Sequence, residues 1–217
     1  MYNINETDII LAEKIKSQKK DFYLMFQKNF ETQEKTLEEF IKGINHAQFN
    51  NFKDTRFIWN IAGFINIISF DLKVIGQDLM LAENEWQKRY YARQACLIIY
   101  ESTNDFFDLL GKDFKEIVFS KICDCKVEEE LNTIRKQLNS FKTEHFDNLQ
   151  LIRNTAIAHR DNDIMKQINT IQSICWSDTL GLISSYDKIL NQLGGLFQQL
   201  INIGLTKFEE LQKKKNS

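Results

Sequence analysis

The chain has 217 residues, of which 43% are hydrophobic and 12% aromatic, enough apolar material for one substantial core without a second domain. A net charge of -2 excludes a general polyanion trap, so any contact with nucleic acid has to use a local patch. Proline is absent and long helices are unobstructed, while the 17 phenylalanines fall at spacings of three and four, the period of helix and not of strand.

From Thr7 to His46 the pattern predicts one broken or two consecutive amphipathic helices. Ile10, Leu11, Ile15, Phe22, Met25, Phe26 and Phe30 share one side, and Thr36 with Glu39 forms a capping box for the second piece. Glu6 and Asp8 precede the first apolar cluster, which is not the basic-then-apolar order of a targeting segment. Asn50, Asn51 and Asp54 make a connection. The next helix, Thr55 to Leu81, is apolar nearly all round and is expected at the bundle centre. Its most apolar stretch, Phe57 to Phe70, is interrupted by Asn60, Asn66 and Ser69 and falls short of the ~20 residues a spanning helix needs. No membrane contact is expected. Asn84 or Glu83 caps a helix from Glu85 to Leu110, and Gly111 ends it.

Beyond a less regular region around Cys123 and Cys125, Leu131, Ile134, Leu138, Phe141, His145, Leu149, Ile152 and Ala156 follow at steps of three and four. They predict a single helix from Val127 to His159, about 50 Å long at 1.5 Å per residue. Arg160 to Asp163 then form a polar turn, with Asp163 capping a short helix from Ile164. The last helix runs from Asp178 to Leu211, where Gly194 and Gly195 suit a kink or close packing. The fold class is therefore all-α: a single-domain antiparallel helical bundle over residues 55–217, with an additional N-terminal helical region, residues 1–54, packed on it.

Four cysteines are few for this length and read as reduced, buried thiols in a cytoplasmic protein. Cys123, Cys125 and Cys175 lack a second close pair and a convincing histidine, so no metal is expected. His145 lies on the core seam as an interior or interface residue, and His46 fits a helix C-terminal cap. The aromatic spacing is that of core and shows no stacking platform for nucleic acid. No glycine-rich phosphate loop follows a strand, and no cofactor is expected.

The residues that carry chemistry cluster between Leu151 and Asp161. Arg153 supplies a permanent cation with forked donors suited to phosphate, and His159 can exchange a proton near neutral pH. Together they meet the minimum needs of RNA cleavage without metal: a base takes the ribose 2′-OH proton, and a cation stabilises the charge gathering on phosphate. On a regular helix six residues would place them about 240° apart. Either the helix ends near Ala158, or each meets its counterpart across a twofold axis. Judged on spacing alone, a capping histidine and an ion-paired arginine are the simpler reading. Glu101 and Asp105, four apart, form a carboxylate pair, and Arg93 lies on the same broad side.

The run Arg153-Asn154-Thr155-Ala156-Ile157-Ala158-His159-Arg160-Asp161 resembles the signature of the HEPN superfamily, and its ending resembles the abortive-infection type in particular. The segment from Tyr90 to Phe114, with Arg93, Tyr100, Glu101, Asp105 and Gly111, is similar to the preceding helix of such proteins. The helical resemblance covers residues 57–211, but only the short run is specific.

The resemblance implies a bundle that pairs as a homodimer around a shared cleft, and a ribonuclease acting on RNA in phage defence or with an antitoxin or other defence partner. Arg153 would then stabilise the scissile phosphate, His159 would act as general acid or base, and Asn154 would orient the phosphate or the histidine. Arg160, Asp161, Glu101 and Arg93 would form the substrate-binding surround. Asp161 stands where antitoxin-modified members often carry tyrosine, so that form of control is not expected. The alternative is a non-catalytic module of the same fold that binds a partner protein, RNA or nucleotide.

Overall fold

The computed structural model describes residues 2–157 and 162–215, with side chains through residue 206. Eight α-helices are present among the described residues: α1 (Glu6–Ser17), α2 (Lys19–Phe49), α3 (Lys53–Leu81), α4 (Glu85–Leu109), α5 (Lys112–Glu116), α6 (Cys125–Ile152), α7 (Ile164–Ser173) and α8 (Trp176–Lys215). Two π-helical stretches, Ile117–Ile122 and Arg153–Ile157, lead into and out of α6.

The helix starts obey local chemistry. Asn5, Asn84, Asp124 and Asp163 each accept a hydrogen bond from the first turn of the following helix, as capping residues do. At the end of α2, Asn51 adopts the left-handed region at φ 55°. The Phe52 N–H bonds the Ala47 carbonyl (2.8 Å) and the Asn51 N–H bonds that of Gln48 (3.1 Å). That is a Schellman ending with asparagine in the position usually held by glycine. The His46 imidazole is therefore not the cap; it faces the Asn50 amide and the edge of Phe52.

Helices α3, α4, α6 and α8 form the core, and α2 lies along the outside of α3. Side-chain pairs set the directions: Phe64 meets Phe106 across the short α3/α4 connection, Tyr100 meets Phe146 while Arg135 reaches the Leu110 carbonyl, and Phe141 meets Tyr186 while Gln199 reaches Glu130, so each of α3/α4, α4/α6 and α6/α8 runs antiparallel. Leu72, Ile99, Phe106, Phe114, Leu131 and Leu193 expose no surface. Tyr186 is equally buried, and its hydroxyl shares a hydrogen bond with Ser102 Oγ (2.8 Å). Burial pushes its pKa up to about 12. The first residues tie the periphery to this core: Asp8 accepts from the Ser177 N–H (3.0 Å) at the start of α8, while fully buried Arg89 donates to the Asn3 carbonyl (2.6 Å) and stacks on Tyr2.

Several expectations are corrected. The break in the first region falls at Gln18, not before Thr36. Helix α2 runs through Thr36, whose hydroxyl donates back to the Thr32 carbonyl and so makes no capping box. Ile10 and Met25 point to solvent. The seam of Val127 to Ala156 is real, yet its α-helical hydrogen bonding ends at Ile152, where the π turn begins. Gly194 and Gly195 lie within the continuous span of α8 and serve no close packing, since a Cβ on either would meet nothing within 4 Å. At Gly43 the opposite holds: a Cβ there would lie 2.4 Å from the Trp59 ring, so glycine is what lets α2 approach α3. Helix α3 is in fact long and apolar enough to cross a membrane by length and composition alone. Here Ile61, Ala62, Ile65, Leu72 and Leu79 spend that apolarity in the bundle core.

Cys96 and Cys175 are buried, but Cys123 and Cys125 are exposed, because the π turn that ends at Cys123 (φ 53°) turns that corner outward. Burial pushes the Cys96 thiol up to about 12, so its contribution to stability holds below pH 9 and is lost as pH rises towards 12. A thiol reagent applied to the native protein should therefore modify two cysteines rapidly, and the remaining two only in denaturant. In chemical denaturation, Phe106→Ala should cost about 3–5 kcal/mol. Tyr186→Phe should cost only about 1 kcal/mol, because Ser102 keeps the Ile98 carbonyl as acceptor (2.6 Å).

Candidate functional site

Arg153 stands where α6 changes from α to π hydrogen bonding. A π turn uses i→i+5 bonds and widens the helix, so the 100° step that separated positions 153 and 159 no longer applies from this residue on. His159, Arg160 and Asp161 lie outside the described residues, so the expected convergence of Arg153 and His159 has no geometry to report.

The guanidinium itself is held on three sides. Its Nε donates to Glu101 Oε1 at 2.6 Å, one Nη donates to Asn154 Oδ1 at 3.0 Å, and its centre lies 5.2 Å from the Tyr100 ring centroid. The outer Nη has no hydrogen-bond partner among the described residues. Arg153 keeps 24% of its side chain accessible and Glu101 45%, so solvent screens the pair and its worth to stability is small. Its value is geometric: a cation fixed in place with donors still open.

The other predicted residues divide. Glu101 and Asn154 both accept from Arg153. Arg93 does not line an open surface: it is 9% exposed, its Nη1 donates to the Ala156 carbonyl (3.1 Å), and its Nε donates to that of Arg89 (3.1 Å). Trp86 and Tyr90 flank the Arg93 guanidinium. The assignment of Arg93 to substrate binding is thus corrected to a backbone anchor, because a guanidinium spent on main-chain carbonyls inside the bundle cannot also meet a ligand. Of Glu101 and Asp105, only Glu101 meets the arginine. Asp105 is held above the usual carboxylate range by partial burial, then by the neighbouring charges of Glu101 and Asp108.

The aromatic spacing concealed a feature that is not core. Beyond Tyr100, the Phe146 ring stacks at 4.5 Å between centroids and 25° between planes. Lys142 Nζ then sits 4.5 Å from Phe146 and 4.8 Å from Phe107, and donates to Asn104 Oδ1 at 3.1 Å. The i, i+4 pairs Lys142/Phe146 on α6 and Tyr100/Asn104 on α4 were the available signal, but only the antiparallel pairing of the two helices shows that they meet.

A cavity of about 890 Å³ opens on the opposite side of α6, between it and the start of α8. His145 is only partly buried there, against Phe141 and near Glu144, and contributes nothing to the Arg153 site. No group of histidine, cysteine or carboxylate side chains able to hold a metal ion occurs among the described residues.

No family model, no curated protein and no solved structure matches this chain. The fold class, an all-α helical bundle, is what the coordinates define. Within it, Arg93→Met should leave the Ala156 carbonyl unpaired and cost about 1–3 kcal/mol. Faster amide exchange confined to residues 153–157 would locate the effect, whereas unchanged exchange there would remove the anchor role.

Proposed function

We propose that this protein is a metal-independent RNA endonuclease in which Arg153 stabilises the scissile phosphate and His159 moves the proton. The observation that carries the reading is the posture of Arg153, held on Tyr100, Glu101 and Asn154 with an outer nitrogen left open. A guanidinium set in advance loses little freedom when phosphate arrives, and its charge is placed before charge develops. RNA carries its own nucleophile. Removal of the 2′-OH proton lets that oxygen bond to phosphorus as the 5′-oxygen leaves with a proton, giving a 2′,3′-cyclic phosphate and a 5′-hydroxyl.

Glu101 tempers the charge of Arg153 in the resting protein, and a phosphate approaching the outer nitrogen need not displace it. The π turn adds support, because such turns recur where a helix serves function and not length. So do the exposed apolar side chains on either side of the candidate residues in the sequence, Leu151 before them and Ile164 and Met165 after them. A second copy of the chain would cover such a patch, bringing two Arg153 sites together. The HEPN resemblance supplies the setting of this reading, phage defence or a toxin paired with an antitoxin.

The alternative is a module of the same fold that binds RNA or a protein without turning it over, and the Arg153–Glu101 pair is the observation that favours it. Cleavage of a labelled RNA in EDTA separates the two. Wild type should yield cyclic-phosphate ends, with His159→Ala reduced about 10²–10⁴-fold and Arg153→Ala about 10²–10³-fold at matched folding. Full activity in either variant removes that residue from the mechanism, and binding without cleavage by wild type selects the module.

A further inference from the structure

Lys142 is held in a way that stability alone does not require. Its ammonium lies against two aromatic rings, Phe146 and Phe107, and donates to the Asn104 amide oxygen. Among the described residues no carboxylate pairs with it, although the chain carries more acidic than basic side chains. The aromatic faces hold the cation by their quadrupole without cancelling its charge.

The position is equally specific. Lys142 on α6 and Arg153 just past its end are three helical turns apart and project from one side, and the ring contacts that link them (5.2, 4.5 and 4.5 Å) hold the two charges within about 14 Å of each other. The Tyr100–Phe146 stack fills the interval, with Arg153 at one end and Lys142 at the other. Those rings have their faces occupied and offer no platform to a base. They act as a spacer that fixes two cations in line along the α4/α6 seam. Glu101, Asp105 and Asp108 run beside it on α4, one residue round from Tyr100, Asn104 and Phe107, and this acidic border confines a polyanion to the α6 side.

We infer that Lys142 is a second phosphate-binding residue of the Arg153 site, gripping the same RNA strand about four nucleotides from the first contact at a stacked rise of about 3.4 Å. The inference rests on the ribonuclease reading for the identity of the strand. Lys142 takes no part in bond breaking. It makes the site demand a strand long enough to reach both cations, and discriminates against shorter oligonucleotides through affinity.

Binding of a labelled, uncleavable 2′-O-methyl oligouridylate 12-mer, followed by fluorescence anisotropy at several salt concentrations, tests this. Each lost phosphate contact lowers the salt slope for single strands by about 0.7, which corresponds to about five-fold in affinity at 0.1 M salt. Lys142→Gln should show both changes with the 12-mer and neither with a trinucleotide used as competitor, while Lys142→Arg should restore wild-type binding. A purely structural lysine would affect both lengths equally and lower the melting temperature. That result, an unchanged 12-mer slope, or a wild type that does not bind the 12-mer, overturns the inference. Cleavage by wild type and its loss in His159→Ala are read separately, so the nuclease can stand where the second contact falls.

Discussion

The local structure at the candidate site depends on one change of hydrogen-bond register, the passage of α6 from α-helix to π turn at Arg153. A carbonyl has two lone pairs, so a turn with i→i+5 bonding can also take a donor from a neighbouring helix. Buried Arg93 is that donor at Ala156, reaching across from α4. The anchor joins the two helices three residues before His159 in the sequence. The buried arginine is compensated there: its Nε and Nη1 donate to backbone oxygens, and two aromatic side chains flank its charge.

Two arginines on one seam thus take opposite roles, and burial decides which. Arg93 is enclosed and structural, whereas Arg153 stays accessible at one edge and keeps an open donor. Glu101 orients the second more than it stabilises the fold, since a screened ion pair contributes little energy but a 2.6 Å contact to Nε fixes the plane of the guanidinium. Asn154 and Tyr100 complete that orientation, and the Tyr100–Phe146 stack carries the same rigidity three turns along to Lys142.

Much of this was legible in the chain because it follows from neighbours in sequence. The caps at Asn84 and Asp163 and the α6 seam from Leu131 to Ile152 need only local periodicity and side-chain reach. The placement of α3 at the centre follows from its apolarity on all sides. The readings that failed depended on more distant partners. Thr36 carries a capping pattern that an uninterrupted helix ignores, and Cys123 looks like a core residue until a π turn exposes it. Arg93 reads as a surface cation until the Ala156 carbonyl is found beside it.

The amino-acid sequence by itself determined the helical class, most helix starts and the candidacy of Arg153, because periodicity, capping chemistry and charge are properties of residues a few positions apart. Only the tertiary structure decided that Arg153 would meet Glu101 and Tyr100, that Arg93 would be enclosed, and that Lys142 would share a seam with Arg153. Those pairings join residues up to 63 positions apart, as with Arg93 and Ala156, and exist only once α4 and α6 lie antiparallel. Which side chains then face each other is set by the packing of two whole helices, a quantity that no local pattern encodes.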